Sequence, residues 1–201
     1  MSNRGYALEN QTENFLLTLA DQSRDLPMSL RSHRITSSGA MRGDKGDVIS
    51  VGIPFLSKQL LFECKRRKES TKEGMSFTLP EAWLTKNEGE ANMYNCTPIF
   101  LGAFTSGAKW RKFIVVSPNT LKMEPNPAPI LPRAILTNKN HRFKIRKNTL
   151  DTEWNENYKV SLLLRGKRDW ILLSYRYFTE ILGGLKNEYQ IRTQTAINGK
   201  S

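Results

Sequence analysis

The stretch "QLLFECKRRK", residues 59–68, constrains the fold more than any other part of the chain. Its apolar, β-rich run predicts a strand, and successive side chains of a strand point to opposite faces. Leu60, Phe62 and Cys64 then share one face, which suits a core. Leu61, Glu63 and Lys65 share the other, so two charged groups stand at the end of a strand that is otherwise apolar. A second β-rich run, "DVISV", opens on Asp47, and "GIPFLSK" between the two has the character of a hairpin connection. An antiparallel hairpin brings Asp47 beside Glu63. Two carboxylates and an ammonium are therefore expected in one cluster.

The 201 residues are 38% hydrophobic and 25% charged, enough apolar material for one core and one domain over residues 1–201. Lysine and arginine outnumber aspartate and glutamate 31 to 19, which gives a formal net charge of +12 and favours a polyanionic partner, most simply nucleic acid. No apolar run is long enough to span a bilayer and no basic amphipathic helix of membrane-surface type occurs, so no membrane partner is expected. The opening residues "MSNRGYALENQTENF" lack the apolar centre of a secretory signal. Cys64 and Cys96 have no partners at zinc-site spacing. Both are expected as reduced thiols of a cytoplasmic protein.

Along the chain, residues 6–21 predict a helix with Leu8, Phe15, Leu16 and Leu19 on its apolar stripe and Thr12 interrupting it. Glu9 and Glu13 lie one turn apart on a neighbouring face. Pro27 is expected to forbid continuation. Residues 30–47 predict a short strand and a Gly/Ser/Arg-rich loop. "FTLPEAWLTKNEGEANMYN", residues 77–95, predicts a helix with Pro80 near its start. "TPIFLGAFT" and "WRKFIVVS" predict two strands. Residues 118–168, first Pro-rich and then basic, have the character of an insertion, with one strand in "YKVSLLLRG". "RDWILLSYRYFTEILGGL" predicts a strand and a helix stopped by Gly183 and Gly184, followed by a frayed tail after Tyr189.

Clustered carboxylates with a lysine suit phosphodiester hydrolysis. Two carboxylates can hold Mg²⁺, which keeps several waters and takes phosphate oxygens as further ligands. Lys65, a compact point charge, can orient the attacking water or stabilise the charge that develops on the phosphate. Glu13, from a helix packed on the sheet, is a third candidate carboxylate. The bland alternative is a solvated hairpin with an ordinary Glu–Lys pair. The preceding acidic helix, the β-rich setting and the basic chain favour the functional reading.

The order of helix with Glu13, "SSGA" loop, "GDVIS", "LLFECK", helix, "TPIFLGAF" and "WRKFIVVS" resembles the PD-(D/E)xK nuclease superfamily, and within it the archaeal-type Holliday junction resolvases and their phage relatives. The resemblance runs over residues 5–117 and resumes at 169–190, around the insertion at 118–168. It implies an α/β fold with an αβββαβ core of restriction-endonuclease type, a mixed central sheet flanked by helices, and a basic C-terminal insertion. It also implies a homodimer, dependence on Mg²⁺ with Mn²⁺ able to substitute, and cleavage of branched or four-way DNA. "TENFLL" supplies Glu13 as the first-helix acid, "GDVIS" supplies Asp47, and "ECK" supplies Glu63 and Lys65; the three acids are the implied metal ligands. "HRITSSGA" supplies Arg34 and Ser38 for the loop positions, with Ser37 and Arg31 as alternatives. Restriction-like or repair endonucleases and exonucleases share this core, and a non-catalytic basic DNA-binding protein remains a third class.

Phosphate contacts are expected from Arg31, Arg34, Arg42 and Lys45 ahead of the hairpin, from Arg66, Arg67 and Lys68 after Lys65, and from Arg142, Lys144, Arg146 and Lys147 in the basic run. His33 and His141 are not expected to be catalytic, and Cys64 is expected in the core. Asp44 is a lesser alternative to Asp47. Trp83, Leu84, Tyr94 and "WILLSYRYF" carry the apolar surface from which a dimer interface is expected.

Overall fold

A computed structural model describes residues 6–35, 47–68, 76–106, 109–120, 130–146, 159 and 161–198. Helix α1 (Tyr6–Leu19) buries Leu8, Thr12, Leu16 and Leu19 on one stripe. Thr12 does not break that stripe, because its hydroxyl donates to the Leu8 carbonyl at 2.9 Å and meets the Cys64 sulfur at 3.8 Å. The helix ends well before Pro27. Asp21 takes φ 53°, the Asp21 N–H donates to the Thr18 carbonyl, and the Gln22 N–H reaches back to Leu17 at 2.8 Å. This is a Schellman ending with aspartate in the left-handed position.

The strands β1 (His33–Arg34), β2 (Val48–Ile49), β3 (Leu60–Lys68), β4 (Ser76–Pro80), β5 (Thr97–Ser106), β6 (Lys109–Val116), β7 (Ile130–Leu136), β8 (Arg142–Arg146), β9 (Ser161–Arg165) and β10 (Asp169–Ser174) alternate with α2 (Glu81–Met93) and end in α3 (Tyr175–Asn198). Eight of them form one mixed sheet in the order β1-β2-β3-β5-β6-β10-β9-β7, and β4 and β8 form a separate ribbon. The expected hairpin is present, with Val48 opposite Phe62 and Ile49 opposite Leu61. From β3 the chain crosses through α2 to the parallel neighbour β5, as a parallel pair requires.

Each face of the main sheet is covered. Leu60, Phe62 and Cys64 of β3 join Leu101, Ala103, Ile114 and Leu173 against α1 and α3. On the other face Phe100, Phe104, Phe113, Leu164 and Leu172 pack against Leu84 of α2 and against Phe77, Leu79, Phe143 and Ile145 of the β4–β8 ribbon.

Several expectations are corrected. Residues 77–80 are strand, not helix: Phe77 and Leu79 alternate inward against β8, and the helix begins only after Pro80, which sits in extended backbone. The basic run at 142–146 is a strand, and the Pro-rich segment contributes β7, where Pro132 is tolerated because β7 closes the sheet's edge. The described part of 118–168 therefore extends the central sheet and roofs its second core. Gly183 and Gly184 do not stop α3, which continues through the expected frayed tail to Asn198. Leu84, Trp170, Ile171, Leu172, Leu173, Tyr177 and Phe178 are buried within the chain, and Trp83 stacks on Phe100 at 6.4 Å. Of the surface expected for a dimer interface, Tyr94 is exposed.

The chain's turns also explain one buried acid. Glu81 accepts the Arg168 N–H at 3.1 Å, and Gly166 lets the β9–β10 turn close on that carboxylate, since a Cβ there would stand 2.6 Å from it. Burial acts to raise the Glu81 pKa, but the N–H groups of Lys167 and Arg168 prevail and hold it below the ordinary value.

Gly102 lies opposite Phe113, and a Cβ on it would stand 2.1 Å from the Phe113 ring. That ring is itself fully buried and edge-on to Phe77 at 5.1 Å, so moving it disturbs a second aromatic contact. Gly102→Ala is expected to destabilise the chain by about 2 kcal/mol, the usual scale of core overpacking. Gly89→Ala, where an added Cβ meets nothing within 4 Å in the middle of α2, is expected to stabilise it by up to about 1 kcal/mol. Urea unfolding of both variants checks the pair; a neutral Gly102→Ala would show that the ring yields.

Candidate active site at the Asp47–Glu63–Lys65 cluster

The pairing of β2 with β3 is short, and the site begins where it stops. The Asp47 N–H donates to the Phe62 carbonyl at 2.8 Å. One step further along β3 the Cys64 N–H needs an acceptor, and the Asp47 side chain supplies it: Oδ2 accepts that N–H at 2.7 Å. Asp47 is buried, and its carboxylate is thereby fixed against the strand. Lys65 Nζ stands 3.3 Å from the same oxygen and 2.5 Å from Glu63 Oε1. One ammonium thus joins two carboxylates, as the strand alternation predicts.

Charge and burial act together here. Burial raises the Glu63 pKa and the Asp47 charge raises it further, against the pull of Lys65 and Lys86. Burial would lower that of Lys65, but Asp47 and Glu63 outweigh it and keep the ammonium charged. The Glu9 pKa is also raised, first by burial and then by Asp47, with Glu63 adding and Arg34 and Lys65 opposing. Glu9 therefore belongs to the electrostatic field of the cluster.

Glu13 is held differently. It is 4% exposed, Arg24 reaches its Oε2 at 3.3 Å, Arg31 reaches its Oε1 at 3.1 Å, and Arg34 lies 3.7 Å from Oε2. Its oxygens thus face guanidiniums. Arg31 also donates to the Leu26 carbonyl at 2.9 Å, and Arg34 lies over the Tyr6 ring at 3.9 Å and 3.9 Å from Glu9. Both arginines brace the first helix and its following loop.

Among the described residues no three Asp, Glu, His or Cys side chains are grouped to hold one ion. The three-carboxylate arrangement expected from Glu13, Asp47 and Glu63 is not assembled in this geometry. Asp47 and Glu63 still fit Mg²⁺ as a pair of hard oxygen donors. Their mutual repulsion, seen in the raised Glu63 pKa, is what a divalent cation relieves, and Mg²⁺ binds through one or two carboxylates while keeping its waters.

The remaining expected residues divide. Arg66 is half-buried on β3; Arg142, Lys144 and Arg146 are exposed on β8, where Phe143 and Ile145 point inward. Ser38, Arg42, Asp44, Lys45 and Lys147 lie outside the described residues, as do the side chains of Arg67 and Lys68. His33 Nδ1 lies 2.9 Å from the Arg31 carbonyl, and the His141 carbonyl accepts the Glu81 N–H that opens α2. Cys64 is buried, and burial and Asp47 push its thiol pKa well above the usual value, so it packs rather than reacts.

No protein-family profile matches the chain, and no curated protein matches it. Among solved structures, it is similar to Hjc of Archaeoglobus fulgidus, described as a Holliday junction resolvase from an archaeal hyperthermophile, with 17% identity, 71% of this chain and 86% of that chain covered, and a TM-score of 0.39. A likeness of that size says nothing of the site, whose chemistry rests on its own geometry.

Sequence reasoning missed Glu9, Arg24 and Lys86. The spacing of Glu9 and Glu13 by one turn puts them on neighbouring parts of one helix face, but it does not tell which of the two feels Asp47 and Glu63. Lys86 pairs with Glu90 at 3.5 Å on α2 and lowers the Glu63 pKa from across the helix–sheet contact, which no local pattern reveals.

A raised carboxyl pKa makes the folded chain hold its proton longer than the unfolded chain. The stabilisation is full below the unfolded value of 4.5 and is lost as pH rises through the folded one. Lys65→Met removes the nearest charge that lowers the Glu63 pKa. It is expected to move the Glu63 titration upward and to steepen the loss of stability with rising pH. Carbon-detected NMR of the Glu63 carboxyl, with urea unfolding at several pH values, checks both; a Glu63 titration unmoved by Lys65→Met would separate the two groups.

Proposed function

We propose that this chain is a metal-dependent DNA endonuclease acting on branched DNA of the four-way type, working as a homodimer. The observation that carries the nuclease reading is the Lys65 ammonium set between the Asp47 and Glu63 carboxylates at the point where the β2–β3 ladder ends. The four-way substrate and the dimer rest on the resemblance of the motif order. Two opposed strands of one junction must be cut, and a closed two-fold pair matches that symmetry.

Hydrolysis adds water across a backbone P–O bond and leaves a terminal phosphate and a hydroxyl. Asp47 and Glu63 would hold Mg²⁺, which when bound lowers the pKa of a coordinated water and offsets charge on the reacting phosphate. Asp47 is positioned for that task by the Cys64 N–H, which leaves Oδ1 outside that bond. Lys65 keeps its proton and lends positive charge to the phosphate oxygens as negative charge develops. The chain's +12 charge draws the polyanion, and the exposed cations of β8 offer it a rigid strand: Arg142, Lys144 and Arg146 alternate at about 7 Å, twice the rise per residue.

Purified protein with labelled linear, flap and four-way DNA is expected to nick the four-way substrate in opposite arms, and only with Mg²⁺ or Mn²⁺. Asp47→Asn and Glu63→Gln are each expected to lower the rate by at least about a hundredfold, the scale on which metal and charge stabilisation act, while binding persists. Cleavage at normal rates in both variants would falsify the nuclease site; single uncoupled nicks by a monomer would leave a general endonuclease. Replacing Arg142, Lys144 and Arg146 by Gln is expected to weaken all DNA alike and to reduce the salt slope by about 0.9 for each phosphate that is no longer neutralised. An unchanged slope in fluorescence anisotropy would show that β8 is merely solvated.

A further inference from the structure

Apolar surface is left uncovered at the end of the molecule away from the site. Ten large hydrophobic side chains are exposed among the described residues, and four of them, Leu26, Met28, Leu30 and Tyr189, come from segments that meet there. Leu26, Met28 and Leu30 crowd the connection from α1 to β1, where Met28–Leu30 form one 3₁₀ turn. That connection packs on the β2–β3 connection: Gln22 Nε2 donates to the Val51 carbonyl at 2.7 Å, and the Leu30 carbonyl lies 3.1 Å from where a Cβ on Gly52 would stand. The β2–β3 connection in turn meets α3, with the Phe55 ring 6.4 Å from that of Tyr189. Lys186 ties α3 to the first segment through its ion pair with Asp21 at 2.7 Å. Leu60, where this end of β3 begins, is about 17 Å along the strand from Lys65.

Beside the Phe55–Tyr189 contact lies an apolar cavity. Leu56, next to Phe55, and Leu185, one turn before Tyr189, are half-buried and line it, with Leu60, Ile99, Val116 and Phe178 buried behind them. Apolar walls that face nothing forgo their dispersion contacts, and water finds few polar partners there, so the cavity suits an apolar side chain. The same end of the molecule therefore holds projecting apolar groups and a recess for such groups. A two-fold pair presents one patch twice, and a patch with both features is self-complementary. Its charge fits the same partner. Residues 21–30, 51–59 and 181–192 carry Asp21, Asp25 and Glu188 against Arg24, Lys58, Lys186 and Arg192. Arg24 is paired with Glu13, Lys186 with Asp21 and Arg192 with Glu188, so a polyanion meets little uncommitted positive charge. Two copies of a chain with net charge +12 repel, and they approach most readily where the local charge is balanced.

We propose that this patch is an interface between two copies of the chain, in which Met28 and Leu30 of each copy enter the cavity lined by Leu56 and Leu185 of the other. Met28 suits the task, because an unbranched thioether fills an irregular recess. The contact leaves the Asp47–Glu63–Lys65 cluster of each copy free at the far end of β3. It also leaves β8 free, because β8 covers the opposite face of the sheet from α1 and α3. As an interface the inference stands on the patch alone; as the homodimer of a nuclease it rests on the reading proposed above.

The test is sedimentation velocity of the full chain over a concentration series. Wild-type protein is expected to sediment as a dimer at the higher concentrations. The double variant Met28→Glu, Leu30→Glu puts carboxylates at two exposed positions on which folding does not depend. It is expected to raise the dimer dissociation constant at least about thirtyfold, the scale of a lost interface anchor. Leu56→Glu should weaken the dimer from the cavity side, and Met28→Leu should preserve it. Thermal unfolding identifies a variant that no longer folds, and the exposed pair then carries the test. With Mg²⁺ the double variant should still nick four-way DNA once, but the opposed nick should no longer follow. Wild-type protein that stays monomeric throughout overturns the interface; if that monomer floats with vesicles of phosphatidylcholine and phosphatidylserine, the patch belongs to a membrane instead. A dimer retained at wild-type strength in the folded double variant also overturns it, and places the dimer contact elsewhere. A wild-type dimer that the double variant dissociates, but that cuts no DNA with Mg²⁺, supports the interface and overturns the nuclease reading alone.

Discussion

The hydrogen bond from the Cys64 N–H to Asp47 Oδ2, at 2.7 Å, is the contact on which the site depends. It is a side chain standing in for a missing ladder carbonyl. β2 contributes two residues to the sheet, and without a substitute acceptor a buried N–H on β3 would be left unsatisfied, at a cost of roughly 1–3 kcal/mol. The same bond fixes one oxygen of Asp47 against the strand, so Lys65, next along β3, meets it at 3.3 Å and turns to Glu63 on its own face. Fold and candidate chemistry therefore share one interaction. The strand needs the carboxylate for its backbone, and the site needs the strand to hold the carboxylate.

The parts of this arrangement that sequence made legible are those set by the two-residue period of a strand. Alternation in "LLFECK" separates Cys64 from Glu63 and Lys65, and the structure places Cys64 in the core beneath α1 and the two charged groups on the opposite face. What was not legible depends on distant partners. Residues 77–80 carry apolar positions that serve a helix or a strand, and only the pairing of Phe77 with Ile145 and Leu79 with Phe143 decides for the strand. Gly183 and Gly184 carry a helix-stop signal that tertiary context overrides: both sit inside α3, whose Tyr177, Phe178 and Leu182 are anchored in the core before them. Pro132 obscured β7, because a proline within a strand is tolerated at an edge or where the register shifts, as it does between Ile130 and Ala134, and both are properties of the whole sheet.

The first-helix acids show a different limit. Glu9 and Glu13 are equivalent as residue types and one turn apart, yet their surroundings divide them. Glu13 faces Arg24 and Arg31, contributed by the loop after α1, while Glu9 feels Asp47 and Glu63. A buried carboxylate without counter-charges is costly, and enclosing Glu13 with guanidiniums offsets that cost while tying the loop to the helix. Arg31 and Arg34, expected at phosphates, have this structural task in the arrangement described. The separation of structural from functional charge is thus made by loop geometry, which no helical spacing encodes.

The basic excess is likewise distributed by architecture rather than by local clusters of sequence. In β8 the strand period turns Arg142, Lys144 and Arg146 outward because Phe143 and Ile145 must roof the second core, so the hydrophobic requirement itself aligns the cations. Lys112 is aligned by the reverse circumstance: it lies on the core-facing side of β6, and Tyr175 covers its ammonium where an apolar residue would otherwise pack. The first arrangement presents charge to any polyanion that approaches, and salt screens it readily. The second holds charge where water is partly excluded and salt acts less. The two placements therefore answer salt differently, and they lie on opposite sides of the main sheet: the β8 cations outside the second core, Lys112 on the face covered by α1 and α3.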